Sequence, residues 1–202
     1  MSKKLILSSL VALFVFISSP NTSHAQIVTF DLPGTNGPFD FGDDVGQFID
    51  PVTGLVADFA AFVDGSSGDF NATADNFGIN ADETGDETDQ LDGDLGAESF
   101  TITFSGPVSA TLTEVDIVGF AGGDAGTLDI GGTQTLIASG NTTAIPTHTE
   151  LVGNTLTIAY TGTGTGFSVN SLTFNVVSVP EPSSLALLSL VGLGFAGRRR
   201  RR

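Results

Sequence analysis

Apolar and polar residues alternate in short runs along most of this chain. The runs at 27–30, 55–63, 99–104, 108–120, 127–130, 133–138, 155–160 and 171–177 read as strands. Gly, Asn, Asp, Ser and Thr, the residues that close turns, separate them at short intervals. Between Gln26 and Val179 no sustained apolar spacing of three and four residues occurs, so helix is not a main element there. Within 108–120 the apolar parity slips. Ala110 and Leu112 stand on one phase, Val115 and Ile117 on the other, which predicts a β-bulge or a bend near Glu114. Short strands with polar turns, lacking the helical crossovers that parallel strands need, predict an all-β fold: an antiparallel β-sandwich, jelly-roll-like.

Two apolar runs of another kind flank this region. The first, 5–17, follows Lys3 and Lys4 and is followed by Ser23-His24-Ala25 just before Gln26. A charged start, an apolar stretch and small residues at a cleavage position form a secretory signal peptide, with signal peptidase cutting between Ala25 and Gln26. The run is shorter than the roughly 20 apolar residues of a spanning helix, which argues against a permanent anchor. The second run, 185–197, follows Val179-Pro180-Glu181-Pro182-Ser183-Ser184 and precedes Arg198, Arg199, Arg200, Arg201 and Arg202. Proline continues neither a strand nor a helix, so the Pro-Glu-Pro segment stays extended and accessible. As a helix, 185–197 reaches only about 20 Å against a hydrocarbon core of about 30 Å. The arginines snorkel and keep the cytoplasmic side, so the tail holds the new protein in the inner membrane only marginally and transiently.

This C-terminal order resembles the PEP-CTERM sorting tail, named for the Pro-Glu-Pro that stands here at Pro180, Glu181 and Pro182. The resemblance covers residues 179–202 and includes the serine pair, the Leu/Gly-rich stretch and the terminal arginines. It implies recognition by exosortase, a membrane-embedded cysteine protease-transpeptidase. That enzyme cuts near the motif and releases its substrate outside the cell, in bacteria that mostly make exopolysaccharide.

Charge sharpens the picture. All seven basic residues lie in the two flanking segments, at Lys3, Lys4 and Arg198 to Arg202, whereas every one of the 23 acidic residues except Glu181 lies between Gln26 and Val179. Such a domain repels itself unless cations, salt or spacing relieve it. Nucleic acid and anionic lipid are excluded as partners of the mature domain on the same ground. The absence of cysteine removes disulfides and thiol chemistry, so stability must come from a core, for which the Phe residues between Phe30 and Phe174 supply the large groups.

Candidate chemistry concentrates in 80–94, where Asp82, Glu83, Asp86, Glu87, Asp89, Asp92 and Asp94 alternate with Gly85 and Gly93. Dense carboxylates on a flexible loop are the hard oxygen ligands that calcium prefers. The loop is not an EF-hand, because Leu91 stands where the bidentate Glu would be. Asp82, Asp86, Asp89, Asp92 and Asp94 are therefore candidate ligands of a structural Ca2+, and the plainer alternative is a solvated acidic loop. The segment Gly122 to Asp129 faintly resembles a calcium-binding β-roll repeat, but it occurs once and reads as a turn.

Enzymatic readings fare worse. His148 is the only histidine after the signal peptide, so a Ser-His-Asp arrangement has one possible base, and zinc bound by His and Cys is excluded by count. So many acids exist that no chosen pair argues for glycoside hydrolysis. Sugar binding through aromatic rings is disfavoured by the lack of Trp and a single Tyr160. The sequons at Asn71 and Asn141 leave open that the protein carries sugar.

The sequence thus predicts a signal peptide (1–25), an acidic β-sandwich domain (26–178) and a sorting tail (179–202), with an N-terminal signal helix and a short C-terminal apolar helix as flanks. The function it points to is a non-catalytic cell-surface or extracellular-matrix protein, exported through the inner membrane, calcium-stabilised and associated with exopolysaccharide. A calcium-dependent carbohydrate-binding module is the alternative, and a hydrolase using acidic residues the third.

Overall fold

The computed structural model describes residues 24–33, 44–73, 76–80, 90–93, 96–138, 141–144 and 149–179. The expected flanking helices lie outside them. A compact unit spans Ala25–Val179. Its described part is all β, and every strand pairing in it is antiparallel.

The strands, in chain order, are β1 Ala25–Asp31, β2 Val45–Ile49, β3 Val56–Val63, β4 Ser66–Ser67, β5 Asp69–Ala72, β6 Phe77–Asn80 and β7 Glu98–Ser105. The second half adds β8 Val108–Val118, β9 Gly126–Ile130, β10 Thr133–Ile137, β11 Asn141–Ala144, β12 Thr155–Tyr160 and β13 Ser168–Ser178. One sheet runs β1-β13-β8-β11. The larger sheet runs β10-β9-β12-β7-β3-β2, with the short β4 added beside β3, and β5 and β6 form a separate hairpin. Each of the eight alternating runs of the sequence falls on a strand. The five further strands, β2, β4, β5, β6 and β11, are short.

Alternation explains how the two sheets pack. β7 buries Phe100, Ile102 and Phe104 while turning Thr101 and Thr103 outward, and β12 buries Leu156, Ile158 and Tyr160. From the other sheet β13 buries Leu172, Phe174 and Val176, and β8 buries Ala110, Leu112, Val115 and Ile117. The faces meet through aromatic rings. Phe104 lies edge-on to Phe174 at 5.4 Å, and Phe30 of β1 stacks on Phe48 of β2 at 4.8 Å. Phenylalanine suits this seam because it fills volume without a polar atom to satisfy.

The parity slip in β8 is a bulge. Thr173 of β13 faces Glu114 and Phe174 faces Leu112, so Thr113 is the extra residue. A second bulge lies in β13 at Asn170, whose carbonyl accepts the Leu32 N–H at 2.8 Å. Glycine is required at few places. Asp64 and Gly65 both have positive φ, 50° and 77°, and close the tight β3–β4 hairpin as an Asp-Gly turn. At Gly78 a Cβ would stand 2.2 Å from the Gln90 backbone, so only glycine lets that segment lie against β6.

One buried hydroxyl ties the β5–β6 hairpin to the sandwich. Ser168 Oγ accepts the Phe77 N–H at 2.6 Å and donates to the Phe77 carbonyl at 2.9 Å, beside the T-shaped contact of Phe77 with Phe100. Ser168→Ala leaves both backbone groups unsatisfied in a dry site. It is expected to cost about 1–3 kcal/mol in urea unfolding, with faster amide exchange confined to 69–80. Uniform loss of protection across β7 and β13 would show that the hairpin is not a separately tethered unit.

Candidate functional site

The end of β13 positions the first residue of the Pro-Glu-Pro segment. Ser178 pairs with Val108, and Val179, half exposed, donates its N–H to the Pro107 carbonyl at 3.2 Å. No spacer separates the sheet from the motif. Pro180, Glu181, Pro182 and the cluster Arg198 to Arg202 lie outside the described residues. At the other terminus Ala25 and Gln26 are both described, and both lie in β1, paired with Val177 and Val176. The bond singled out for signal cleavage and Val179 therefore lie at the same end of the β1–β13 ladder.

Family comparison acts on the same segment. The model of the PEP-CTERM protein-sorting motif matches residues 178–201. The C-terminal segment is a PEP-CTERM sorting motif. It marks the chain for export across the inner membrane and for exosortase-dependent sorting to the cell surface or beyond. No curated protein and no solved structure matches the chain. The match covers the tail, so the activity of the sandwich must be argued from its own residues.

The acidic segment is described in part. Asp82, Asp86, Asp89 and Asp94 lie outside the described residues, whereas Asp92 is buried at 1% exposure beside the fully buried Glu98. The Asp92 N–H donates to Glu98 Oε2 at 2.8 Å, and the Glu98 N–H lies 3.4 Å from the Asp92 carbonyl. The neighbouring Leu91 bridges to Phe167 by two backbone bonds of 2.7 and 3.0 Å, which pins this corner against the start of β13. Glu98 escaped the sequence reading because it lies outside the acid-rich run. Among the described residues no three or more His, Cys, Asp or Glu side chains are grouped to hold a metal ion.

Other carboxylates clamp loops. Asp124 is buried, accepting the Ala121 N–H at 2.5 Å, the Gly166 N–H at 3.0 Å and the Tyr160 hydroxyl at 3.2 Å. It fixes the 119–125 turn to the loop after β12. Burial, then the hydrogen bond with Asp124 and its negative charge, push the Tyr160 phenol above its ordinary range. Tyr160 is 4% exposed, so the one tyrosine is closed to ligands. Asn71, weighed as a sugar acceptor, is likewise buried at 5%. His148 lies outside the described residues.

Glu150 accepts from the Ser109 hydroxyl and from the N–H groups of Ala110 (2.8 Å) and Val152 (3.1 Å). Burial pushes this carboxyl upward, but the hydrogen bonds of Ser109, Ala110, Val152 and Leu151 together outweigh it and hold the group below its ordinary value of 4.5. A depressed folded value means the contribution is fully present above the unfolded value and is lost as pH falls through the folded one. Glu150→Gln is therefore expected to lose about 1 kcal/mol at pH 7, modest because the site is partly solvated. The gap to the parent should shrink below pH 4.5 in urea unfolding. A constant gap from pH 7 to pH 3 would contradict the clamp.

Proposed function

We propose that the sandwich is a non-catalytic component of the cell surface or extracellular matrix, stabilised by calcium and left outside the cell when the tail is removed. The observation that carries this reading is the position of the sorting motif. It begins at the last residue of a closed β domain, so removing the tail beyond that residue leaves the domain intact. The composition agrees. A domain rich in carboxylates and free of Lys and Arg stays soluble, avoids anionic surfaces and has reason to recruit cations. Signal peptidase acting between Ala25 and Gln26 completes the processing.

Intact mass of the protein recovered from the culture medium tests the delivery. The expected species begins at Gln26 and lacks the segment from about Leu185 onward. A secreted form that retains Arg198 to Arg202 would overturn sorting by tail removal.

Calcium is supported by two carboxylates, Asp92 and Glu98, buried at the foot of the acidic segment in a domain without Lys or Arg. Binding to the folded state alone raises stability by about 2.7 kcal/mol at a hundredfold excess over Kd. Sodium chloride at matched ionic strength controls for screening, and magnesium should do less because it holds its waters and demands octahedral geometry. Joint replacement Asp86→Asn, Asp89→Asn and Asp92→Asn should remove the calcium increment in thermal unfolding. Equal melting temperatures in calcium, sodium and chelator would overturn the calcium reading.

A further inference from the structure

The Ala25–Gln26 bond is not in a leader ahead of the fold; it is inside β1. Ala25 faces Val177 and Gln26 faces Val176, and the ladder continues without a break to Asp31 opposite Ser171. The strand alternates, with Gln26 half buried and Val28 and Phe30 buried at 7% and 4%. Phe30 is held by Phe48 at 4.8 Å and Phe174 at 5.2 Å.

A peptidase must take the chain on both sides of the scissile bond into its cleft in an accessible, extended form. Susceptibility follows the burial and hydrogen bonding of the backbone concerned. In the closed sandwich β13 lies about 4.8 Å from one edge of that bond. The core lies beneath Gln26 and Val28, so access requires the start of β1 to peel away from its partner. In the open chain nothing covers it.

Topology decides when the bond is covered. Among the described residues β1 is the first strand and its one ladder partner, β13, is the last. A chain exported from its N-terminus delivers β1 long before Ser168–Ser178 has crossed. Contacts of such sequence separation also form late, because loop closure must precede them.

We propose that the β1–β13 ladder sets the order of processing: it leaves Ala25–Gln26 open to the signal peptidase during translocation and closes over it once β13 is across. The proposal rests on reading Ser23-His24-Ala25 as the cleavage signal. The step itself is amide hydrolysis. Water adds across the bond, Ala25 leaves as a carboxylate and Gln26 remains as an ammonium. The cut removes only the outermost pair, Ala25 with Val177, and leaves 26–31 free to dock.

The experiment uses the full-length chain, synthesised without export and offered to purified signal peptidase in detergent. It is offered either immediately or after the sandwich has become protease-resistant. Cleavage of the folded chain at Ala25–Gln26 is expected to be at least about tenfold slower, the factor given by about 1.4 kcal/mol of fraying. A Gly-Ser segment inserted between Ala25 and Gln26 moves the bond out of the ladder and should restore the fast rate in a chain of unchanged protease resistance. Val28→Asp, which undocks β1 from the core, should do the same. Equal rates at this bond before and after folding would overturn the ladder's role. N-terminal sequencing separates the two ideas: cleavage at another bond in both preparations would sink the cleavage-site reading, and the ordering with it.

Discussion

No lysine or arginine stands between Gln26 and Val179, so no carboxylate of the sandwich can pair with a permanently charged side chain of its own domain. A buried charge without compensation is expensive. The fold supplies backbone instead. Asp124 takes the N–H groups of Ala121 and Gly166, Glu150 those of Ala110 and Val152, and Glu98 that of Asp92. On the surface Asp50 does the same with Val52 and Thr53. There burial pushes upward, but the hydroxyl and amide hydrogen bonds outweigh it and lower the carboxyl. Hydrogen bonds to an ionised acceptor are stronger than neutral ones, and loop amides are the donors a sheet leaves unused. Acidic composition and turn geometry are therefore one design: the carboxylates are the staples of the loops.

These staples hold loops, and the apolar seam holds the sheets. With no cysteine anywhere in the sequence, cohesion falls to facing rows of Phe, Leu, Ile and Val, in which Phe59, Phe100, Phe77 and Phe70 continue the ring contacts beyond the main seam to the β5–β6 hairpin. Burial is non-directional and tolerates the repulsion outside it, provided the charges stay at the rim. Outside the core the carboxylates need not leave the strands: beside Thr101, Thr103, Thr155 and Thr157 on the outward face of the larger sheet stand Asp58, opposite Thr103, and Asp129, opposite Thr157.

Legibility in the sequence divides the same way. Strands with three or more apolar residues on one phase could be read directly, and so could the bulge, because Ala110, Leu112, Val115 and Ile117 carry the phase change in their own spacing. β11, Asn141–Ala144, has no branched aliphatic or aromatic residue and is a strand only because β8 offers it an edge. In β2 a glycine interrupts the apolar phase, β6 has only Phe77 and Ile79 to mark one, and β4 has two residues. The sorting motif was legible because its recognition depends on linear order. The burial of Glu98 and Asp124 was not, since a carboxylate carries no local mark of the amides that will meet it. Within the acidic run the sequence treated all carboxylates alike, and it carried no mark of the burial of Asp92.

The β13–β8 ladder ends by chemistry rather than by distance. β13 and β8 run together to the pair Ser178 and Val108, and beyond it stand Pro107 on one side and Val179-Pro180 on the other. Val179 spends its N–H on the Pro107 carbonyl. Pro107 has no N–H to return, and Pro180 and Pro182 have none to extend the ladder. The missing N–H groups thus make Val179 the last residue whose amide the sheet edge can use here. That Ala25 and Val179 fall at one end of the β1–β13 ladder is then a consequence of the antiparallel pairing of these two strands.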